Sequence, residues 1–163
     1  MSKNPLSIEQ VLGLLTTNLQ QITEFTADLT STQLHTSLKP GEWSANDILA
    51  HLRSCADMWG SAIETIINED KPIIKAINPR TWIDNTGYPQ QKFQKSFRAF
   101  AKQRTDLLII LEALPKKSWL RSATVTGAGK PLERTVFFYA HWLAIHERTH
   151  VKQIGRIANT MRI

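Results

Sequence analysis

The chain has 163 residues, 42% hydrophobic and 21% charged, the balance of one ordinary folded domain and not of a disordered or two-domain chain. Seven glycines and seven prolines exclude collagen-like and low-complexity chains, and the longest aliphatic run, Leu107 to Leu111, falls far short of the roughly 20 residues of a membrane span. The formal charge of +6 favours acidic partners in general without singling out nucleic acid.

The opening Met1-Ser2-Lys3-Asn4-Pro5 is polar and lacks the apolar centre of an export signal, which predicts a cytoplasmic protein. Four amphipathic helices follow. The first is predicted over residues 7–29. Ser7-Ile8-Glu9-Gln10 has capping-box form, and Ile8, Leu12, Leu15, Leu19, Ile22, Phe25 and Leu29 recur at the three- and four-residue spacing of one helix face. The second is predicted over 44–68. Ser44 suits the N-cap and Asp47 the first turn, and Ile48, His51 or Leu52, Cys55, Trp59, Ala62 and Ile66 form its inner face. The third spans 89–114. Pro89 fits a first helical position, Pro115 marks the stop, and Arg104 interrupts an otherwise apolar stripe of Phe93, Phe97, Phe100, Leu107, Leu111 and Leu114. The fourth spans 132–159, with Val136, Tyr139, Leu143, His146, His150, Ile154 and Ile157 on one face. The connections at 69–88 and 116–131 are long, and the first could cross the bundle so that helices two and three run parallel. The longest strand-like pattern is Ala123 to Thr126, so little or no sheet is expected.

The histidines carry the chemical information. His146 and His150 are four apart, so at about 3.6 residues per turn their imidazoles share one face of the fourth helix. This spacing lets one helix offer two ligands to one metal ion. Both lie on the apolar stripe, and His51 repeats the situation on the second helix. Three inward imidazoles would form an open, catalytic type of site for a borderline divalent ion such as zinc, nickel or iron. Nitrogen–metal distances of about 2.0–2.2 Å are expected, with water completing the shell and occupancy falling below about pH 6 to 7.

The bland alternative is that these are hydrogen-bonded packing residues. Cys55, the only cysteine, excludes an internal disulfide and a thiolate-rich zinc module. One turn after His51, it could be a fourth ligand, a nucleophile or a small buried residue. Glu147 faces away from the histidines, and the spacing is not that of the zinc-protease motif. His141 belongs at a bundle edge or the surface, and His35 in a loop. Arg80, Trp82, Tyr88 and Trp119, on the long connections, are candidates for a pocket mouth.

Gly41-Glu42-Trp43-Ser44-Ala45-Asn46-Asp47-Ile48-Leu49-Ala50-His51-Leu52 resembles the Trp-Ser … His-Leu opening of the second helix in the DinB/YfiT-like superfamily. Gly129-Lys130-Pro131-Leu132-Glu133-Arg134-Thr135-Val136, with His146-Glu147-Arg148-Thr149-His150-Val151-Lys152-Gln153-Ile154, resembles its C-terminal signature. By length and helix order the resemblance covers nearly the whole chain. It implies a single four-helix-bundle domain over 1–163, all-α, in up-down-down-up order and often dimeric. It also implies one divalent metal held by His51, His146 and His150. Some relatives are thiol-dependent transferases or isomerases using mycothiol, bacillithiol or glutathione.

The expectation is a metal-dependent enzyme that activates a low-molecular-weight thiol or water toward a small electrophilic substrate, as a homodimer, with no membrane and no specific nucleic-acid partner. The alternative is a non-enzymatic basic module binding nucleic acid, with structural histidines. Its support is the basic rows Lys92, Lys95, Arg98, Lys102 and Arg148, Lys152, Arg156. Such rows more often form the solvated face of a bundle, and no nucleic-acid motif accompanies them.

Overall fold

The structure is a computed structural model that describes residues 4–162; the polar opening Met1-Ser2-Lys3 lies outside them. Helix starts are set by side-chain caps. Ser7 accepts from the Gln10 amide (3.1 Å) and Gln10 returns the bond to the Ser7 amide (2.8 Å), opening α1, Ile8–Thr26. Thr30 and Gln33 repeat the reciprocal pair at the one-turn helix α2, Ser31–Leu34, as do Ser44 and Asp47 at α3, Ala45–Asn68. Each cap satisfies amides that a helix start leaves unpaired, worth about 1 kcal/mol. A short strand β1, Ile73–Lys75, and a second one-turn helix α4, Pro79–Trp82, occupy the connection that follows.

The next long helix, α5, runs Phe93–Ala113 and not from Pro89, because Tyr88–Gln90 is a 3-10 turn containing that proline and Gln91 is extended. Lys92 cannot cap it. His35 does so from a distance, its Nε2 accepting from the Phe93 amide at 3.2 Å. The last helix also starts later than the sequence predicts. Leu132–Thr135 is a strand, β3, and α6 runs Val136–Met161 with Thr135 accepting from the Phe138 amide at 2.9 Å. The first helix ends at Thr26, three residues short of the predicted Leu29.

The fold is therefore mostly helical, and a small sheet of three short strands stands beside the expected all-α bundle. β2, Ser122–Thr126, pairs in parallel with β1 and antiparallel with β3, in the order β1-β2-β3. Gly127 (φ +90°) and Gly129 (φ +84°) supply the left-handed backbone that turns β2 into β3. Ser122 and Thr124 both donate to Glu133 across this pair at 2.8 Å. The sheet's role is to tie the two long connections together beside the bundle.

Four long helices pack so that α1 and α3 each touch both α5 and α6. Leu6 meets His141, Asn18 meets Ala144 and Glu147, and Asp28 meets Arg162 along the α1–α6 seam. Asn46 meets Pro89 and Gln91, Arg53 meets Ser96, and Asp57 meets Gln103 between α3 and the chain leading through α5. α1 and α6 approach closely: a Cβ on Gly155 would stand 2.9 Å from the Phe25 ring.

The core divides in two. One cluster gathers Leu15, Ile63, Leu111, Trp119, Val136 and Leu143; the other gathers Ile22, Leu49, Leu52, Phe100, Val151 and Ile154. Between them lies a polar layer. Arg104, the residue that interrupts the α5 stripe, is buried and forms a bidentate ion pair with buried Glu147. Arg104 also donates to the Leu15 carbonyl (3.1 Å), and Asn18 donates to Glu147 (3.2 Å) and the Ala144 carbonyl (3.1 Å). Burying these charges is tolerable because each has a charged or carbonyl partner.

Candidate metal centre

The polar layer continues on the α3–α6 seam as a cluster of histidines. In each helix a four-residue step stacks two donor side chains on one face: His51 and Cys55 on α3, His146 and His150 on α6. Apolar neighbours on the same stripes bury these faces, which brings the two pairs into contact. The ring centroids of His51, His146 and His150 stand 4.6 to 5.2 Å apart. Nε2 of His51 lies 3.4 Å from Nε2 of His146, and Sγ of Cys55 lies 3.6 Å from Nε2 of His51. Donor atoms of His51, Cys55 and His146 all fall within 4.8 Å of one another.

His150 sits beside this tight set. Its Nδ1 meets Oε1 of Gln153 at 3.0 Å, a contact that holds the proton on Nδ1 and leaves Nε2 with its lone pair.

The residues fit a metal ion. Two nitrogens bound to zinc at about 2.0–2.1 Å and a tetrahedral angle stand about 3.3–3.4 Å apart, which matches the His51–His146 spacing. Nδ1 of His146 is buried without a hydrogen-bond partner among the described residues, so the only protein contact at hydrogen-bond distance from that ring is Nε2 of His51. Burial, reinforced by the neighbouring His150 and Arg80, lowers the pKa of both His51 and His146 to about 4, so both are neutral at pH 7 with lone pairs available. The expected loss of metal below about pH 6 to 7 rests on ordinary imidazoles, and burial makes His51 and His146 harder to protonate than these. Burial likewise pushes the Cys55 thiol up to about 12.

Tryptophans wall the cluster. Trp43 packs on His51 and His150, with centroids 5.0 and 6.1 Å away, and Trp59 meets His146 edge-on at 5.0 Å. Trp142 stacks on His146 at 6.2 Å and meets Trp59 edge-on at 5.8 Å. Arg80 lies over the Trp43 ring at 5.1 Å. Two cavities share the Trp43–Arg80 pair. One, of about 340 Å³, is lined by His51, Asp47, Ile83 and Pro89; the other, of about 420 Å³, by His150, Gln153 and Arg156.

Of the four residues considered for a pocket mouth, only Arg80 is there. Trp82 and Tyr88 instead dock on Asp57 of α3, donating to its Oδ2 at 3.1 and 2.7 Å, while Gln103 donates to Oδ1 at 2.9 Å. Arg53 lies 3.6 Å above the Tyr88 ring. This knot fastens the 69–92 connection to α3 and thereby holds Arg80 at the site. Trp119 is buried in the core cluster beyond the polar layer. His141 is half-buried and accepts from the Leu6 amide at 3.4 Å. Glu147, read as facing away, is turned into the α1–α5 side of the core. Trp43 as a wall and Asp57 as an anchor emerge only in the fold. For Asp57 there is a signal, its four-residue spacing from Arg53, but nothing local says what the pair holds.

Comparison with known proteins gives the same picture of the fold. YfiT from Bacillus subtilis superposes with a TM-score of 0.80 at 14% identity, over 99% of this chain and 93% of that one; its structure was described as a probable metal-dependent hydrolase with an unusual four-helix bundle topology. An uncharacterized protein from Clostridium difficile 630 superposes with a TM-score of 0.71 at 10% identity (94% and 96% coverage). A protein from Streptococcus pneumoniae gives 0.69 at 10% identity (96% and 94%). No functionally curated protein matches the sequence. The sequence model of the DinB superfamily matches residues 14–154, a span that contains His51, Cys55, His146 and His150, and this chain belongs to the DinB superfamily.

Proposed function

We propose that the chain is a metal-dependent enzyme in which His51, His146 and His150 hold one divalent ion, zinc, nickel or iron, for the attack of water or a small thiol on a small electrophilic substrate. The observation that carries this reading is the convergence of three imidazole rings, with centroids 4.6 to 5.2 Å apart, next to two cavities. When bound, such an ion lowers the pKa of a coordinated water or thiol toward neutrality and offsets charge developing on the substrate. The chain supplies the rest. Gln153 fixes the tautomer of His150. Trp59 and Trp142 pack against His146 and hold its ring in place. Arg80, exposed at the mouth and seated on Trp43, offers a guanidinium to an anionic group of the substrate. The description of the Bacillus subtilis relative as a probable metal-dependent hydrolase supports water as the nucleophile. A thiol such as mycothiol, bacillithiol or glutathione is the other nucleophile consistent with the same chemistry.

The wider reading has its own support. A single domain over 1–163 in up-down-down-up order accords with the seams in which α1 and α6 ascend together and α3 and α5 ascend together. The basic rows on α5 and α6 serve as solvated faces, Lys102 being paired with Asp106 at 2.8 Å. Among the described residues no helix is long and apolar enough to cross a membrane, which accords with a cytoplasmic enzyme.

The decisive experiment is metal analysis of protein purified without an affinity tag, followed by a turnover screen with and without each thiol. One metal per chain is expected. His51→Ala, His146→Ala and His150→Ala should each weaken its binding sharply and abolish turnover while leaving the helical circular dichroism intact. Full turnover by rigorously metal-free protein sinks the reading.

A further inference from the structure

Cys55 stands where a fourth donor would. It is fully buried, and its Sγ is aimed at the nitrogen of His51 that also faces His146. A sulfur about 2.3 Å and a nitrogen about 2.0–2.1 Å from one tetrahedral zinc ion stand about 3.5–3.6 Å apart. The observed Sγ–Nε2 distance is 3.6 Å. The same nitrogen thus keeps two spacings, one to nitrogen and one to sulfur, and each is the spacing expected across a shared ion.

We propose that Cys55 is a metal ligand, so that the ion is held by two four-residue pairs, His51/Cys55 on α3 and His146/His150 on α6. This rests on the metal reading above and extends it from three imidazoles to a mixed nitrogen–sulfur set. On binding, the S–H bond breaks, the sulfur electron pair is donated to the ion, and the proton passes to bulk solvent. Nothing is oxidised or reduced. The set has a direction. Cys55 lines neither cavity, whereas His51 lines one and His150 the other, so the thiolate would hold the ion from the closed inner side and leave the histidine side facing substrate. It also has a consequence for selectivity. A thiolate favours zinc, cobalt and nickel and disfavours magnesium, calcium and manganese.

The bland account of Cys55 is a small core residue, for which an alanine or valine would serve as well. It accounts for the Sγ contact as a weak S–H···N hydrogen bond one turn along α3, but not for the nitrogen of His146 from a second helix standing at ligand spacing from the same Nε2.

Cobalt(II) tests this directly, because a thiolate bound to it gives an intense sulfur-to-cobalt charge-transfer band in the near ultraviolet. Cys55 is the only cysteine in the chain, so such a band has one source, provided that a phosphine replaces thiol reductants. The metal-stripped full chain is titrated with cobalt alone. The wild type is expected to show the band at one cobalt per chain. Cys55→Ala and Cys55→Ser should bind cobalt without it, and His150→Ala should still show it once enough cobalt is added to fill the weakened site. Stoichiometric cobalt binding by the wild type with no charge-transfer band overturns the proposal and leaves the three-histidine site standing. Absence of any cobalt binding removes both. If the Cys55 variants fail to fold, the wild-type spectrum decides alone.

Discussion

Burial of His51 and His146 does two things at once. It presents neutral nitrogens to an ion, and it stores a penalty that appears when those nitrogens are protonated. Both groups fall from an ordinary 6.5 to about 4 in the folded chain, with desolvation as the leading cause. Between those values the unfolded chain carries protons that the folded chain does not, so stability rises with pH across that window. Metal-free protein should therefore have a level urea midpoint above about pH 7 and a falling one between pH 6.5 and about 4. Replacing His146 with Phe should flatten part of that slope. A slope unchanged in the variant would show that other groups cause it.

At the scale of elements, the Arg104–Glu147 pair behaves as a peg through three helices. Arg104 on α5 reaches the Leu15 carbonyl of α1 and the Glu147 carboxylate of α6, while Asn18 of α1 completes the carboxylate's shell. Glu147 adjoins His146 in the chain, so the same helical rotation that buries one toward α5 turns the other toward α3. Glu147→Gln leaves the guanidinium buried without its counter-charge and should cost about 3–5 kcal/mol, read from chemical denaturation. A double replacement, Arg104→Met with Glu147→Leu, should recover most of that stability, since a well-packed apolar pair is often as good as a buried ion pair. If the recovered variant also keeps metal affinity, the peg serves stability alone. If affinity stays low, the pair sets the rotation of α6.

For the molecule as a whole, the exposed apolar side chains matter most. Ile73, Leu120, Leu132 and Trp142 are 76%, 72%, 44% and 46% exposed. Ile73 and Leu132 belong to the two outer strands of the small sheet. Apolar side chains and free strand edges of this kind favour self-association. A homodimer is the expected state, and light scattering at tens of micromolar should give about twice the chain mass. Ile73→Lys or Leu132→Lys should shift the protein toward monomer without loss of helical signal. Wild-type protein that is monomeric under those conditions would refute this.

The four long helices were legible in the sequence because each has apolar residues at helical period, and three of the four open on a side-chain cap that is local in sequence. The His146–His150 pair was legible for the same reason, since helix geometry alone puts residues four apart on one face. Membership of the superfamily was readable in the two motifs around His51 and His150. The sheet was not, because β1 has three residues and no alternation, and it exists only where β2 comes alongside. Nor was the placing of Trp82 and Tyr88 on Asp57, or the closing of the α5 amide end by His35, 58 residues away. The approach of Cys55 and His51 to His146 likewise depends on how α3 meets α6. Period and capping are properties of neighbouring residues and can be read from order alone. Which faces meet, which buried charges find each other and which donors surround a common point depend on packing across the chain, and only the tertiary structure decides them.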